Sequence, residues 1–307
     1  MRKQVLVIGG SYFTGRVFSI LTSRGEDVYL HVVNRGKFPL KLNNVSQYVC
    51  DRHEPEKMAE LLPKDIIFDA VIDFCAYEPT EIGVIIDALP GRIRQYIVFS
   101  TASVYTVGAG KKIETDEMIR NFETDDPNAE YVLKTCLLET ETKLECEKAG
   151  IPYTILRPAF IYGPFNYAPR ESWFVQQIVK HNPIPVPVDS DSKFNFVYVM
   201  DISAILNLCI ANEKAYNQVF NLSAPEDITY ASFIETLEKV SDVPFATESM
   251  TVKQVNDRSI PLPFPLVGEE LYSGKKVENV LGFTYTPFEV GMKKTFDVFK
   301  DVYEHIG

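Results

Sequence analysis

The first residues able to do chemistry are Gly9, Gly10, Ser11, Tyr12, Phe13, Thr14 and Gly15, which directly follow a short apolar run from Val5 to Ile8. A glycine-bearing turn between a strand and a helix offers a phosphate the free N–H groups and positive dipole of the helix N-terminus. Gly9 suits the tight turn and Gly15 lets the helix approach the strand, whereas Tyr12 stands where the usual pattern has its middle glycine. The turn reads as a dinucleotide pyrophosphate site with an altered centre, the bland alternative being an ordinary strand–helix connection. The next apolar run ends in Asn34-Arg35-Gly36-Lys37 and lacks the acid that would accept from a ribose 2′-hydroxyl. The planar fork of Arg35 suits a 2′-phosphate instead. The expected cofactor is NADP, with NAD as the alternative.

Other chemistries find little support. His31, His53, His181 and His305 are scattered without ligand spacing, so no metal site is expected and the four are placed at solvent or at caps. Cys50, Cys75, Cys136, Cys146 and Cys209 form no CxxC pair and suit a reducing compartment better than a disulfide framework. A G-x-S-x-G elbow is absent, which disfavours a serine hydrolase.

The elements that must position these residues alternate in type. Val28–Val33, Ser46–Cys50, Ala70–Phe74, Tyr96–Phe99 and Pro152–Leu156 are apolar runs. Helical patterns fall at Arg16–Ser23, Glu54–Leu62 and about Asn128–Lys148, the last stopped by Gly150. Near-continuous apolar strands separated by helices predict an α/β fold, a doubly wound parallel sheet covered on both faces. Past Arg157 prolines crowd the chain, so residues 1–157 are assigned to a Rossmann dinucleotide-binding domain and 158–307 to a smaller mixed substrate lobe. Phe196–Val199 and Val219–Leu222 are the segments that would return to the sheet.

The chain has 307 residues, enough for a sizeable core, and 31 Lys plus Arg against 42 Asp plus Glu give a net charge of −11. That balance opposes nucleic-acid or anionic-membrane partners. Arg2-Lys3-Gln4 runs straight into a strand and no apolar stretch is long enough to span a bilayer, so a cytoplasmic location is expected.

Taken together, the residues carry a pattern. The chain resembles the extended short-chain dehydrogenase/reductase family, the NAD(P)-dependent epimerase/dehydratase group. It is most similar to a branch with a Gly-Gly-x-x-Phe-x-Gly turn that includes chloroplast stem-loop RNA-binding proteins. The matching segments are Gly9–Gly15, Asn34–Gly36, Asp51-Arg52, Phe74–Tyr77, Ser100–Tyr105, Leu156–Pro158, Ile161–Pro164, Phe196–Asp201, Phe220-Asn221 and Leu281–Phe283. The resemblance implies that Asp51 accepts from the adenine amino group with Arg52 beside it. It implies that Phe74, Cys75 and Ala76 line the ribose and pyrophosphate path, and that Pro158 and Ile161 flank the nicotinamide.

The family's catalytic Ser/Thr, Tyr and Lys fall in this chain on Thr101, Tyr131 and a displaced Lys134. Thr135 occupies the position four residues after Tyr131 where the lysine is usual, and Lys134 sits one residue early. Each residue of a helix turns the side chain by about 100°, which puts the rescue by Lys134 in question. Ala102 and Ser103 replace the Asp-Glu of sugar dehydratases, so dehydration is disfavoured. Phe194 stands where nucleotide-sugar members carry an arginine, with Lys193 or Arg170 as substitutes, and Trp173 and Phe174 are placed against a sugar or in helix packing. The leading expectation is reversible hydride transfer on a small hydroxyl or carbonyl substrate such as a sugar derivative, by a homodimer. The alternatives are a non-catalytic NADP-binding sensor or scaffold and, less favoured by charge, an RNA-binding protein.

Overall fold

The computed structural model describes residues 2–106, 108, 110–121 and 128–306. Strands β1 (Lys3–Ile8), β2 (Val28–Asn34), β3 (Val45–Val49), β4 (Ala70–Asp73), β5 (Tyr96–Phe99) and β6 (Tyr153–Pro158) alternate with helices α1 (Phe13–Thr22), α2 (Pro55–Leu61), α3 (Glu81–Ala88) and α4 (Ala129–Ala149). Four short strands follow, β7 (Phe160–Tyr162), β8 (Ile184–Pro187), β9 (Lys193–Phe194) and β10 (Phe196–Tyr198), then β11 (Gln218–Leu222). The later helices are α5 (Glu171–Val179), α6 (Val199–Cys209), α7 (Tyr230–Val240), α8 (Val252–Asp257), α9 (Lys275–Leu281) and α10 (Phe288–Ile306).

Seven strands form one parallel sheet in the order β11-β6-β5-β4-β1-β2-β3. Alternation along β1 explains the two covered faces. Val5 and Val7 pack with Phe18 and Leu30 on one side, while Leu6 and Ile8 pack with Val71 and Ile85 on the other. The sheet thus realises the expected doubly wound α/β class, and α4 ends at Gly150 in the left-handed conformation, φ 66°. Helix α3 had no counterpart in the periodicity reading.

The two segments expected to return to the sheet part company. Val219–Leu222 lies in β11, which pairs with β6. Phe196–Tyr198 instead pairs with Phe160–Tyr162 beside the sheet, and Val199 opens α6. The reason is aromatic packing. Phe196 stacks on Phe288 at 4.9 Å and meets Phe264 edge-on at 5.1 Å, in a second core shared by α5, α7 and α10. Trp173 and Phe174 belong to this core and do not line the cleft described below. Among the described residues no helix is long and apolar enough to cross a membrane.

His31 corrects the expectation of solvent-facing histidines. It is buried in β2, with Nε2 2.9 Å from Gln4 Oε1 and Nδ1 3.2 Å from the Tyr48 hydroxyl. Burial, aided by the charge of Arg92, pushes its pKa down from 6.5 to about 4. The folded protein therefore holds the imidazole neutral where the unfolded chain protonates it. The stability carried by neutral His31 is full above pH 6.5 and drains as pH falls towards 4. Going from pH 7 to pH 5 should cost about 2 kcal/mol at this site. Urea unfolding of the protein and of His31→Gln checks it, since the variant should lack that part of the pH slope.

Candidate active site

The strand order reverses between β1 and β4, and a cleft of about 780 Å³ opens there at the carboxyl edge of the sheet. This is the switch point at which open α/β sheets take ligands. Its walls include the Gly9–Gly15 turn, Asn34, Arg35, Asp51, Arg52, Phe74, Cys75, Thr101, Tyr131, Pro158 and Ile161. The structure thus brings together residues spread over 153 positions of the chain, from Gly9 to Ile161. Ala76 is buried behind this wall and does not line it.

The turn fits a phosphate. Gly9 has φ +96°, and a Cβ on Gly15 would lie 2.7 Å from the Gly10 Cα, so helix and turn meet backbone to backbone. Helix α1 starts at Phe13 with no side-chain cap on Tyr12, which leaves its first-turn N–H groups for a ligand in the cleft. The side chain of Tyr12 is sandwiched between Phe38 at 5.1 Å and Tyr167 at 4.9 Å, and all three rings line the cleft. Neither ring partner was foreseen, because both lie on loops far from Tyr12 in sequence.

At the other end of the wall, Asn34 Oδ1 accepts from Gly36 N and Gln47 Nε2, both at 2.8 Å. Arg35 and Lys37 are exposed and make no ion pair within 4.0 Å among the described residues. Asp51 Oδ1 accepts from the His53 amide at 3.0 Å and lies 2.8 Å from His53 Nδ1. These bonds, the amide first, hold the Asp51 carboxyl below its ordinary range. His53 also reaches Glu81 at 2.8 Å, and its two carboxylate partners raise its pKa. Its position directly after Asp51-Arg52 was the only sequence signal that could have found it.

Arg52, also in the cleft wall, has a buried partner of its own. Its guanidinium turns into the protein and pairs at 2.7 Å with Asp73, which is fully buried. Asp73 in turn accepts from Tyr96 at 2.9 Å. Arg52 compensates a buried charge and fixes the end of β4. Burial pushes the Cys75 thiol up to about 12, so it is inert as a nucleophile at neutral pH.

Thr101 caps a short 3₁₀ turn, its Oγ1 accepting from the Ser103 amide at 3.2 Å. Tyr131 is half-exposed in the first turn of α4, and burial around its hydroxyl raises the phenol above its ordinary pKa. Lys134 is not brought to the cleft. Its Nζ is held 2.7 Å from Glu78 and 2.8 Å from Glu130 on the outer side of α4. The one-residue displacement along the helix has turned it away. Lys193 pairs with Glu269 at 3.3 Å and Phe194 is fully buried, whereas Arg170 shares the cleft wall with Tyr131 and its charge acts on that phenol.

A buried ion pair ties the three site-bearing elements together. Arg157 in β6 donates to Glu139 in α4 at 2.8 and 2.6 Å, and Glu139 accepts from Ser100 at the end of β5 at 2.5 Å. Ser100 precedes Thr101, Arg157 precedes Pro158, and Glu139 lies two turns along the helix from Tyr131.

Residues 82–223 match the NAD dependent epimerase/dehydratase family. The chain is 30% identical over 259 residues to the chloroplast stem-loop binding protein of 41 kDa b from Arabidopsis thaliana, an alignment covering 79% of this chain and 64% of that protein. It therefore spans less than two thirds of that relative's length. Among solved structures it resembles UDP-glucose 4-epimerase from Thermotoga maritima, with a TM-score of 0.76, 20% identity and coverage of 97% and 99% of the two chains. UDP-glucuronic acid 4-epimerase from Bacillus cereus, solved with UDP-glucuronic acid and NAD, aligns with a TM-score of 0.75 at 16% identity, covering 98% and 100%. With the parallel sheet and the glycine turn at its switch point, these matches make the chain similar to the NAD-dependent epimerase/dehydratase family over residues 82–223 and give it the fold of the UDP-sugar epimerases.

Proposed function

We propose that this chain is an NADP-dependent oxidoreductase or epimerase that moves a hydride reversibly to and from a small hydroxyl or carbonyl substrate, such as a sugar derivative. The observation that carries the reading is the continuity of the cleft, which runs from the open N-terminus of α1 to Thr101 and Tyr131. When bound, the nicotinamide dinucleotide supplies the hydride. The chain's own residues do the rest. The α1 turn would hold the pyrophosphate, and Asp51 would accept from the adenine amino group. Pro158 and Ile161 would shape the nicotinamide end, and Thr101 would orient the substrate oxygen.

The raised pKa of Tyr131 sets its role at neutral pH. It is a phenol there, able to donate a proton to a carbonyl oxygen as hydride adds to carbon. Calorimetry with NADP⁺ and NAD⁺ tests the reading; no binding heat and no competition with either dinucleotide sinks it.

The choice of NADP rests on Arg35 and Lys37, two exposed cations with no ion pair within 4.0 Å among the described residues, where β2 ends without an acid. Arg35→Ala should weaken NADP⁺ binding about tenfold, the worth of one charge-assisted phosphate contact. NAD⁺ affinity should stay unchanged, and equal loss for both cofactors would count against the assignment.

The outward turn of Lys134 favours a second reading, a protein that binds dinucleotide without turnover. Rapid-mixing absorbance at the reduced-nicotinamide band, with a panel of sugar nucleotides, separates the two.

A further inference from the structure

We infer that Arg170 is the cation that serves Tyr131 in this chain, stabilising the negative charge left on the Tyr131 oxygen when its proton passes to substrate. The inference deepens the proposed function and rests on it for the identity of the proton acceptor. Its electrostatic core rests on the cleft wall that the two residues share and on the charge of Arg170 acting on the phenol.

Tyr131 needs a positive neighbour, because desolvation makes the phenol of this half-exposed side chain ionise reluctantly. Lys134 cannot supply it, being bound to two carboxylates outside the cleft. Thr135 carries no charge: its hydroxyl donates to the Tyr131 carbonyl at 2.8 Å and eases ionisation of the phenol only as a hydrogen-bond partner. At this end of the cleft the wall is Thr101, Tyr131, Pro158, Ile161, Asn166 and Tyr167, all uncharged, together with Arg170. Arg170 makes no ion pair within 4.0 Å among the described residues, and Glu171 and Glu270 feel its charge only from farther away. Its guanidinium sits 5.3 Å from the centre of the Phe160 ring, which fixes one face of the plane.

The groups facing this pair are few. Burial and then Tyr167 raise the cost of charge on Tyr131, while the Thr135 hydroxyl and Arg170 lower it, and Tyr131 in turn raises the pKa of Tyr77. Arg170 is also felt by Glu171 and by the largely buried Glu270, whose pKa is raised by that burial. Guanidinium does not release its proton in proteins. Arg170 therefore holds charge and relays nothing, unlike an ammonium. In the step itself the Tyr131 O–H bond breaks, the proton joins the carbonyl oxygen as hydride joins its carbon, and the electron pair stays on Tyr131. Arg170 remains a cation throughout.

The test reads the phenol directly. Full-length protein carrying ζ-¹³C tyrosine is titrated by NMR, with the Tyr131 signal assigned by its loss in Tyr131→Phe. Arg170→Gln should reduce the phenolate-to-phenol ratio of Tyr131 about tenfold at a given pH, a midpoint about one unit higher. Arg170→Lys should largely restore it, and Lys134→Ala should leave it in place. An unmoved midpoint in Arg170→Gln overturns the inference, as does a shift in Lys134→Ala equal to that expected of Arg170→Gln. Calorimetry on the same samples keeps the two claims apart. Failure to bind dinucleotide refutes the proposed function, whereas the titration judges Arg170 in the absence of cofactor.

Discussion

Gly15→Ala is expected to cut dinucleotide affinity by at least about a hundredfold while the sheet remains folded. The added Cβ would stand 2.7 Å from the Gly10 Cα and 3.0 Å from its amide nitrogen, with the Phe74 ring at 3.2 Å. Two of those three neighbours are backbone, so relief requires α1 to move off the turn. Overpacking of this kind costs about 1–3 kcal/mol of stability. The larger consequence is geometric, because the first-turn amides are displaced together from the pyrophosphate they would bind. Calorimetry with NADP⁺, alongside circular dichroism to confirm the fold, measures it. Gly25→Ala is the control, since its Cβ would meet nothing closer than the Thr22 carbonyl at 3.6 Å. If Gly15→Ala bound the cofactor within a few-fold of the unmodified protein, the turn would not be the phosphate cradle.

Glu139→Gln is expected to be the most destabilising single change near the site, at about 3–5 kcal/mol. Both members of its pair with Arg157 are buried, with side-chain exposures of 1% and 2%. Removing the carboxylate charge leaves the guanidinium in the core without a counterion, its partners reduced to one neutral amide oxygen, the Tyr105 hydroxyl at 2.7 Å and the Met118 sulfur at 3.0 Å. Against a typical domain stability of about 5–15 kcal/mol, that loss is a large fraction. Urea unfolding reads it. The double variant Glu139→Leu/Arg157→Met should recover much of the loss, because a well-packed apolar pair pays no desolvation penalty. A single-variant cost below about 1 kcal/mol would show that solvent or a neighbour compensates the charge. The pair also sets the relative positions of Thr101, Tyr131 and Pro158, so its loss should loosen the site before the sheet unfolds.

Much of the cleft was legible in the chain because its parts are local. The seven residues Gly9–Gly15 specify their own turn through the left-handed φ of Gly9 and the backbone contact at Gly15. Apolar runs end where strands end, and parallel strands deliver their carboxyl ends to one edge. The tips of β1, β2, β4, β5 and β6 therefore converged on a single wall. The boundaries of β5 and the glycine stop of α4 followed from composition alone. Helix α3 escaped notice because eight residues are too few for periodicity to stand out.

By itself, then, the order of residue types determined the doubly wound sheet, the glycine turn at its switch point and the identity of many cleft-lining residues. Only the tertiary structure decided where the charged side chains point. Arg52 turns inward because Asp73 waits there at 2.7 Å, and Lys134 turns outward to Glu78, 56 residues away in sequence. Arg170 reaches the cleft on a loop no periodicity describes, and Phe196 joins an aromatic core instead of the sheet. The physical reason is common to all four. Backbone conformation responds to neighbours a few residues off, whereas a long charged or aromatic side chain follows whichever partner the fold brings within reach.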